Sequence, residues 1–558
     1  MSSLTMTSPQ SVLGAQAVVQ ALLHNGIDTG FGIPSIHNIA LYEVLRQAKP
    51  FHHWVVRHEQ AAGYAADGYY RQSGRVAVVF ASTGPGNLFT VVPLLESLQT
   101  NTPVLVIGTN IATAMESGSG GALHETPRQI EIFRPLTRIA RRINQADEIQ
   151  AAMAEIAAMF RGPSPGPAFL EIPHDLLAAP LTAAPGAVAE NKALSTPQPD
   201  SSQAAAIIEH SQRPAILLGS GIRGDATQII QLAELLQAPV FTTTTGKGII
   251  AADHPLSFGC ISRLGPVQDV LEQSDLLISF GVRLTEFDTG RFGLRLPARH
   301  LQVVDDERYP GTRIRPTTLL AGNIVGIASA LQAQVERREA WFDLNLARRQ
   351  ESQRLEALRS EAYGALNLLR RHLDRQDVVV NDQSILNYWA SAFFPVMQPQ
   401  TFLYPSGSGT LGYGLPSAIG AACALRQTGG QAKVICIAGD GGFQYTAHEL
   451  ATLSQYQLPV KILLVNDQAY GVIGFLQRSL FGQTHEVALR NPDFCQLADA
   501  HGIQAMRASS FDELEQKVPA WLQSQGPALL EWQTVLKAPW EAGAIPRPTG
   551  ISLKTKES

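Results

Sequence analysis

Four apolar runs, set as two pairs at opposite ends of the chain, do most to limit what this sequence can fold into. Near the N-terminus they are VAVVFAS (76–82) and PVLVIGT (103–109); near the C-terminus they are KVICIAGD (433–440) and VKILLVND (460–467). Each has the length of a strand, is rich in β-branched residues, and is apolar at successive positions instead of alternate ones. Such a strand is buried on both faces, as in a parallel sheet covered by helices. Within each pair, the intervening residues have helical length, so each pair reads as strand–loop–helix–strand. The middle of the chain starts the pattern again with PAILLGSGI (214–222), PVFTTTTGKGII (239–250) and DLLISFGVRL (275–284). A Pro-, Ala- and Ser-rich stretch, about Leu181–Ser202, reads as a linker, and a charged helical stretch, roughly Arg337–Arg371, leads into the last third. The expected architecture is α/β, with three domains of parallel sheet flanked by helices, at 10–182, 200–340 and 360–540, the outer two alike.

Composition narrows the function. A length of 558 residues suits about three domains. A hydrophobic share of 45% against 16% charged residues suits a well-buried α/β protein. The net charge of −5, with no long basic run, argues against a nucleic acid partner. The four cysteines (Cys260, Cys423, Cys436, Cys495) form no CxxC pair and read as buried thiols. No signal peptide is evident in MSSLTMTSPQSVLG, and no apolar run is long enough for a bilayer, so no membrane partner and a cytoplasmic location are expected.

The chemistry concentrates between Gly439 and Gly471. Gly439-Asp440-Gly441-Gly442 closes an apolar strand and opens a helix, a turn where backbone N–H groups can approach phosphate. Asp440 stands where a carboxylate can hold Mg2+ against two phosphates. The next strand ends in Asn466-Asp467, 27 positions on (440 to 467). Parallel strands joined by one crossover end on the same sheet edge, so the two aspartates can share one ion.

That segment resembles the cofactor signature of thiamine diphosphate-dependent enzymes: Gly-Asp-Gly, a helix and strand, then usually Asn-Asn. The resemblance implies thiamine diphosphate and Mg2+ as cofactors, with Asp440, Asp467 and the carbonyl of Ala469 as metal ligands. Gly439, Gly441, Gly442, Tyr470 and Gly471 would complete the diphosphate site. Asp467 departs from the usual second Asn and adds a negative charge there. A second match runs from Arg57-His58-Glu59-Gln60-Ala61-Ala62 through Ala65-Ala66-Asp67-Gly68-Tyr69 to Ser82-Thr83-Gly84-Pro85-Gly86-Asn87. It resembles the family's pyrimidine-domain motif and makes Glu59 the carboxylate that activates the pyrimidine ring. PSGSGTLGYGLPSAIGAA (405–422) resembles the segment beneath that ring, which implies that the Gly409 carbonyl accepts from the cofactor's amino group and that Leu411 wedges between its rings. The three domains would then be pyrimidine-binding, central, and diphosphate- and metal-binding. TTTTGKGIIAADHPLSFG (242–259) is similar to the acetolactate synthase group in particular.

For the substrate, ALHETPRQ (122–129) falls where pyruvate decarboxylases carry His-His and acetolactate synthases Phe-Gln-Glu, which places His124 near the reacting carbon. His37 and Asn38, in FGIPSIHNIALYEVL, and Gln477 after the metal loop are further substrate-side candidates, whereas His52, His53 and His58 read as structural. Ile473 stands where pyruvate decarboxylases have a glutamate, which argues against a simple pyruvate decarboxylase. The first third looks most like an acetolactate synthase-like subgroup that includes 5-guanidino-2-oxopentanoate decarboxylase. The resemblance therefore implies non-oxidative decarboxylation of a 2-oxo acid through a C2-carbanion/enamine intermediate, or alternatively acetolactate synthase-type carboligation to a second carbonyl compound. It also implies a homo-oligomer, dimer or tetramer, with active sites at the subunit interface. Arg283-Leu284-Thr285-Glu286-Phe287 matches the flavin-binding Arg-Phe-Asp-Asp-Arg stretch poorly, which makes FAD a doubtful cofactor.

Overall fold

A computed structural model describes residues 12–116, 120–182, 199–308 and 313–546. The N-terminal stretch and most of the Pro/Ala/Ser linker lie outside the described residues. The chain forms two compact units, one of residues 1–194 with 419–424 and the other of 195–418 with 425–558.

The first unit holds six strands: β1 (Thr29–Gly32), β2 (His52–Val55), β3 (Val78–Ala81), β4 (Leu105–Asn110), β5 (Ile139–Arg142) and β6 (Ala168–Pro173). Their order across the sheet is β2-β1-β3-β4-β6-β5, and every pairing is parallel. The segment between β3 and β4 is two helices, Pro85–Leu88 and Val91–Thr100, because the chain turns at Phe89-Thr90.

The second unit holds two sheets. The central one contains β7 (Pro214–Leu218), β8 (Val240–Thr242), β9 (Ser257–Cys260), β10 (Leu276–Phe280), β11 (His300–Val304) and β12 (Thr318–Ala321), ordered β12-β11-β10-β7-β8-β9. The last contains β13 (Val378–Asn381), β14 (Phe402–Leu403), β15 (Val434–Gly439), β16 (Val460–Asn466), β17 (Gln504–Ala508) and β18 (Ala528–Gln533), ordered β14-β13-β15-β16-β18-β17. That is strand for strand the order of the first sheet, so the likeness of the outer thirds extends to topology.

The unbroken apolar runs have the expected cause. In β7, Ile216 and Leu218 join the core on one face of the central sheet, while Ala215 and Leu217 join the core on the other. With both faces dry, no position calls for a polar residue. The charged stretch before the last sheet is helical, as its composition suggests. It is two helices, Leu344–Ala357 and Glu361–His372, broken where Arg359 takes φ +48° and the Ser360 hydroxyl caps the second by accepting from Tyr363 N–H at 3.4 Å. Cys260, Cys423 and Cys436 are buried, Cys495 is half-buried, and all four are free thiols. No helix among the described residues is long and apolar enough to cross a membrane.

Candidate active site

Glu59 is the first residue of the helix Glu59–Ser73. The helix is rich in Ala and ends at Gly74, whose φ of +70° suits a left-handed stop. Its start is set by His58, whose ring nitrogen accepts from Gln60 N–H at 3.2 Å and whose ring lies 4.4 Å from that of Phe89. His58 is thus a cap, and His53 is held by the Tyr42 hydroxyl at 3.0 Å. Arg71, paired with Asp67 of the same helix at 2.6 Å, ties that helix to Val91–Thr100 through Glu96 at 3.0 Å. Glu59 faces the loop after β3: a Cβ on Gly86 would lie 3.0 Å from Glu59 Oε1.

The same loop meets His124. Gly84 adopts φ +66°, ψ −112°, and a Cβ there would stand 2.2 Å from the His124 carbonyl oxygen. Gly84 N–H donates to Gln129 Oε1 at 3.0 Å, and Gln129 in turn donates to buried Glu171 at 2.9 Å. His124 itself is exposed and has φ +65°, rare for a residue with a side chain and a mark of a constrained site. Its ring centroid is 5.2 Å from that of His37, which is 5.2 Å from that of His174. His37 is only 8% exposed, and burial, then the charges of His174 and His124, holds its pKa below the usual histidine value. Its Nδ1 has no hydrogen-bond partner among the described residues. His174, at the end of β6, completes a trio that sequence reasoning missed. Its one signal was a lone histidine directly after an apolar strand.

Asn38 has a different task. Its Oδ1 accepts from Ser35 N–H at 2.7 Å and its Nδ2 donates to Ile33 O at 3.1 Å, so the amide shapes the loop before the helix Ile39–Gln47. Gln477 likewise spends both ends of its amide on the His485 backbone, at 3.1 and 2.8 Å. Arg478, Gln483, His485 and Ile473 are exposed.

In the second unit, β15 and β16 are neighbours with Gly439 opposite Val465, which brings Asp440 and Asp467 to one edge. Both carboxyls are pushed up, first by burial, and Asp467 also by the negative charge of Asp440. The glycines after Asp440 are small because their surroundings are close. A Cβ on Gly441 would lie 2.7 Å from the Tyr470 ring, and one on Gly442 would lie 2.7 Å from Asp382 Oδ1. The Asp467 carboxylate folds over Gly471 and accepts from Ala469 N–H at 3.2 Å. Tyr470 N–H donates to Val487 O and Leu489 N–H to Gln468 O, at 2.9 and 2.7 Å. This short ladder leaves the Ala469 carbonyl outside it.

Asp382 was also missed. Its buried carboxylate accepts from the N–H groups of Gln383, Gly412 and Gly414 at 2.7, 3.1 and 2.9 Å. Burial pushes its carboxyl up while the three donors pull it down. It therefore joins the turn carrying Gly409 (φ +65°) and Leu411 to the loop at Gly442. The signal was present: Val380-Asn381-Asp382 ends β13 as Val465-Asn466-Asp467 ends β16.

Three parallel six-stranded sheets, one with a glutamate at a helix start beside a glycine loop and another with paired aspartates at its strand ends, define a three-domain α/β enzyme that binds a diphosphate cofactor. The chain belongs to the thiamine pyrophosphate enzyme family. It matches the family's N-terminal TPP binding domain at 13–132, its central domain at 201–331 and its C-terminal TPP binding domain at 382–532. It is 32% identical over 533 residues to the probable 2-ketoarginine decarboxylase AruI of Pseudomonas aeruginosa, covering 94% of each chain. It is 29% identical over 528 residues to the acetolactate synthase isozyme 2 large subunit of Escherichia coli, covering 93% of this chain and 94% of that one. The X-ray structure of a Mycobacterium smegmatis protein assigned as thiamin diphosphate-dependent superposes with a TM-score of 0.79 at 22% identity, over 94% of this chain and 100% of that one. That likeness concerns the fold.

Proposed function

We propose that the protein decarboxylates a 2-oxo acid without oxidation, using thiamine diphosphate and Mg2+. The donor set fits a hard cation. Asp440 and Asp467 are two carboxylates at one edge, both pushed up by burial and Asp467 also by the charge of Asp440, and the Ala469 carbonyl beside them lies outside the local ladder. Asp440, Asp467 and Ala469 would hold the ion, and the Gly439–Gly442 turn with Tyr470 and Gly471 would hold the diphosphate. The Gly409 carbonyl and Leu411 would seat the rings. When bound, thiamine diphosphate supplies a nucleophilic carbon and an electron sink for the bond to the departing carboxyl.

The protein's own groups do the rest. Glu59 holds and exchanges a proton at its carboxylate for the pyrimidine ring. His124 would stand on the substrate side as a proton donor. His37, kept neutral by burial, passes protons instead of retaining a charge, and its unpartnered Nδ1 is free for that role. This histidine group beside the glycine loop against Glu59 is the observation that carries the reading, since a decarboxylase needs a proton source where a carboligase needs room for a second carbonyl.

The test is a panel of 2-oxo acids with guanidino, acidic and apolar tails, offered with thiamine diphosphate and Mg2+. The guanidino tail comes first because the Pseudomonas relative bears a 2-ketoarginine decarboxylase name. Carbon dioxide with the matching aldehyde supports the proposal. Carbon dioxide with an acetohydroxy acid and no aldehyde replaces it with the carboligase reading. We also propose a homo-oligomer in which one copy supplies Glu59 and another Asp440. Leu88, Phe89, Val92 and Leu95 stand exposed in the first unit in support, and light scattering tests it.

A further inference from the structure

Asp440 is the end of a chain of hydrogen bonds that starts at a surface arginine. Asp440 Oδ2 accepts from Asn491 Nδ2 at 2.6 Å, and the same nitrogen donates to Asn466 Oδ1 at 3.1 Å. Asn466 Nδ2 donates to Glu531 Oε1 at 2.7 Å. Glu531, on β18 and 1% exposed, accepts at Oε2 from Arg507 Nε at 2.7 Å, and Arg507 also reaches Asp493 at 2.6 Å. Asp493, Cys495 and Glu531 lie within reach of one another, but Arg507 bonds both carboxylates, so these acids serve as its counter-charge.

The polarity of this chain runs one way. An ionised carboxylate only accepts, so Glu531 requires the amide nitrogen of Asn466 to face it. That turns Asn466 Oδ1 outward, where it accepts from Asn491 and from Gln468 N–H at 3.2 Å. The Asn491 amide must then present its nitrogen, and its two hydrogens meet exactly two acceptors, Asn466 Oδ1 and Asp440 Oδ2. Reversing any one amide would set oxygen against oxygen along the line. One oxygen of Asp440, Oδ2, is thereby fixed by a donor.

We propose that Asn491, oriented through Asn466 by the Glu531–Arg507 pair, is a positioning residue that holds the Asp440 carboxylate in the geometry needed to bind a divalent cation. The proposal rests on the reading that Asp440 and Asp467 hold Mg2+. Partners behind metal ligands commonly govern affinity by about 10- to 100-fold. Asn491 is half-buried, so replacing it spares the core.

The experiment is calorimetric titration of Mg2+ into the full-length protein with thiamine diphosphate present, together with thermal unfolding of the metal-free forms. Asn491→Ala and Asn491→Ser are expected to weaken Mg2+ binding by about 10- to 100-fold while metal-free unfolding stays at the wild-type temperature. Asn466→Ala is expected to weaken it as well, and Asn466→Ala with Asn491→Ala to be no worse than Asn491→Ala alone, because Asn466 acts through Asn491. Wild-type affinity in both Asn491 variants overturns the proposal, and so does a double variant whose losses multiply. A wild-type protein that binds no Mg2+ overturns instead the metal-site reading beneath it.

Discussion

The His124 carbonyl oxygen occupies the space beside Gly84, 2.2 Å from where a Cβ would sit, and both residues take left-handed backbone, at φ +65° and +66°. A side chain on Gly84 would strike backbone that has nowhere to go, in a conformation it could not itself adopt. Gly84→Ala is expected to cost roughly 2–4 kcal/mol of stability and to displace His124. Lower unfolding temperature together with lost turnover checks this. A variant matching wild type in both would show that the loop relaxes freely.

Removal of the His124 imidazole can be separated from its backbone. His124→Ala keeps a Cβ in the left-handed conformation that His124 already occupies, whereas His124→Gly relieves that strain of about 1–2 kcal/mol at the cost of a freer unfolded chain. Both are expected to lower kcat by about 100-fold or more, with unfolding temperatures that stay near that of wild type. Equal kcat to wild type in the glycine form would remove His124 from the chemistry.

Glu59→Gln keeps size and helix position but exchanges no proton. Turnover is expected to fall by at least about 100-fold with the unfolding temperature unchanged, because Glu59 is half-buried and the cap comes from His58. An active Glu59→Ala protein would end its assignment as the activating carboxylate.

His300 gives the central sheet an acid sensitivity. It is 3% exposed, its Nε2 meets Ser279 Oγ at 2.8 Å, and burial pushes its pKa down to about 4. Unfolding restores a pKa near the ordinary histidine value of 6.5, so the unfolded chain binds the proton more tightly. Stability is then full above about pH 6.5 and falls as the pH drops toward about 4, by roughly 2 kcal/mol at pH 5. Urea denaturation should show that loss in wild type and a flatter profile in His300→Gln.

Lys247 works in the opposite pH range. Its buried Nζ donates to Ala390 O at 2.6 Å and lies 4.5 Å from the Phe402 ring centroid. Burial pushes its pKa down to about 7 from 10.5, so wild-type stability is lost as the pH falls from about 10.5 toward about 7. Ala390 O also accepts from Phe394 N–H at 3.1 Å and is not orphaned by a change at Lys247. Lys247→Met is expected to gain roughly 1–3 kcal/mol near neutral pH, with the gap to wild type closing as the pH rises. A gap independent of pH would show that the ammonium finds compensation unseen in these contacts.

The strands and the glycine–carboxylate loops were legible because they obey local rules. A strand dry on both faces must be apolar throughout, as in β7, and a turn without room for a Cβ must be glycine, as at Gly441 and Gly442. Asp440 and Asp467 could be paired on paper because adjacent parallel strands end together. The short strands β9, β11 and β12 gave weaker periodicity, and the charged stretch ahead of the last sheet concealed a break at Arg359 and Ser360 that depends on one dihedral and one cap.

What the sequence alone determined, then, was the architecture and the kinds of group at each strand end, because both follow from patterns a few residues long. Which polar groups answer one another was decided only by the tertiary structure. Asp382 gathers three N–H groups, one next to it and two about thirty positions on, and His37 meets His174 across most of the first unit. The Glu531 carboxylate is linked to the Asn491 amide beside Asp440 through one intervening side chain, Asn466. A hydrogen bond needs its partner within about 3 Å and correctly aimed, and only the assembled sheet supplies that distance and direction.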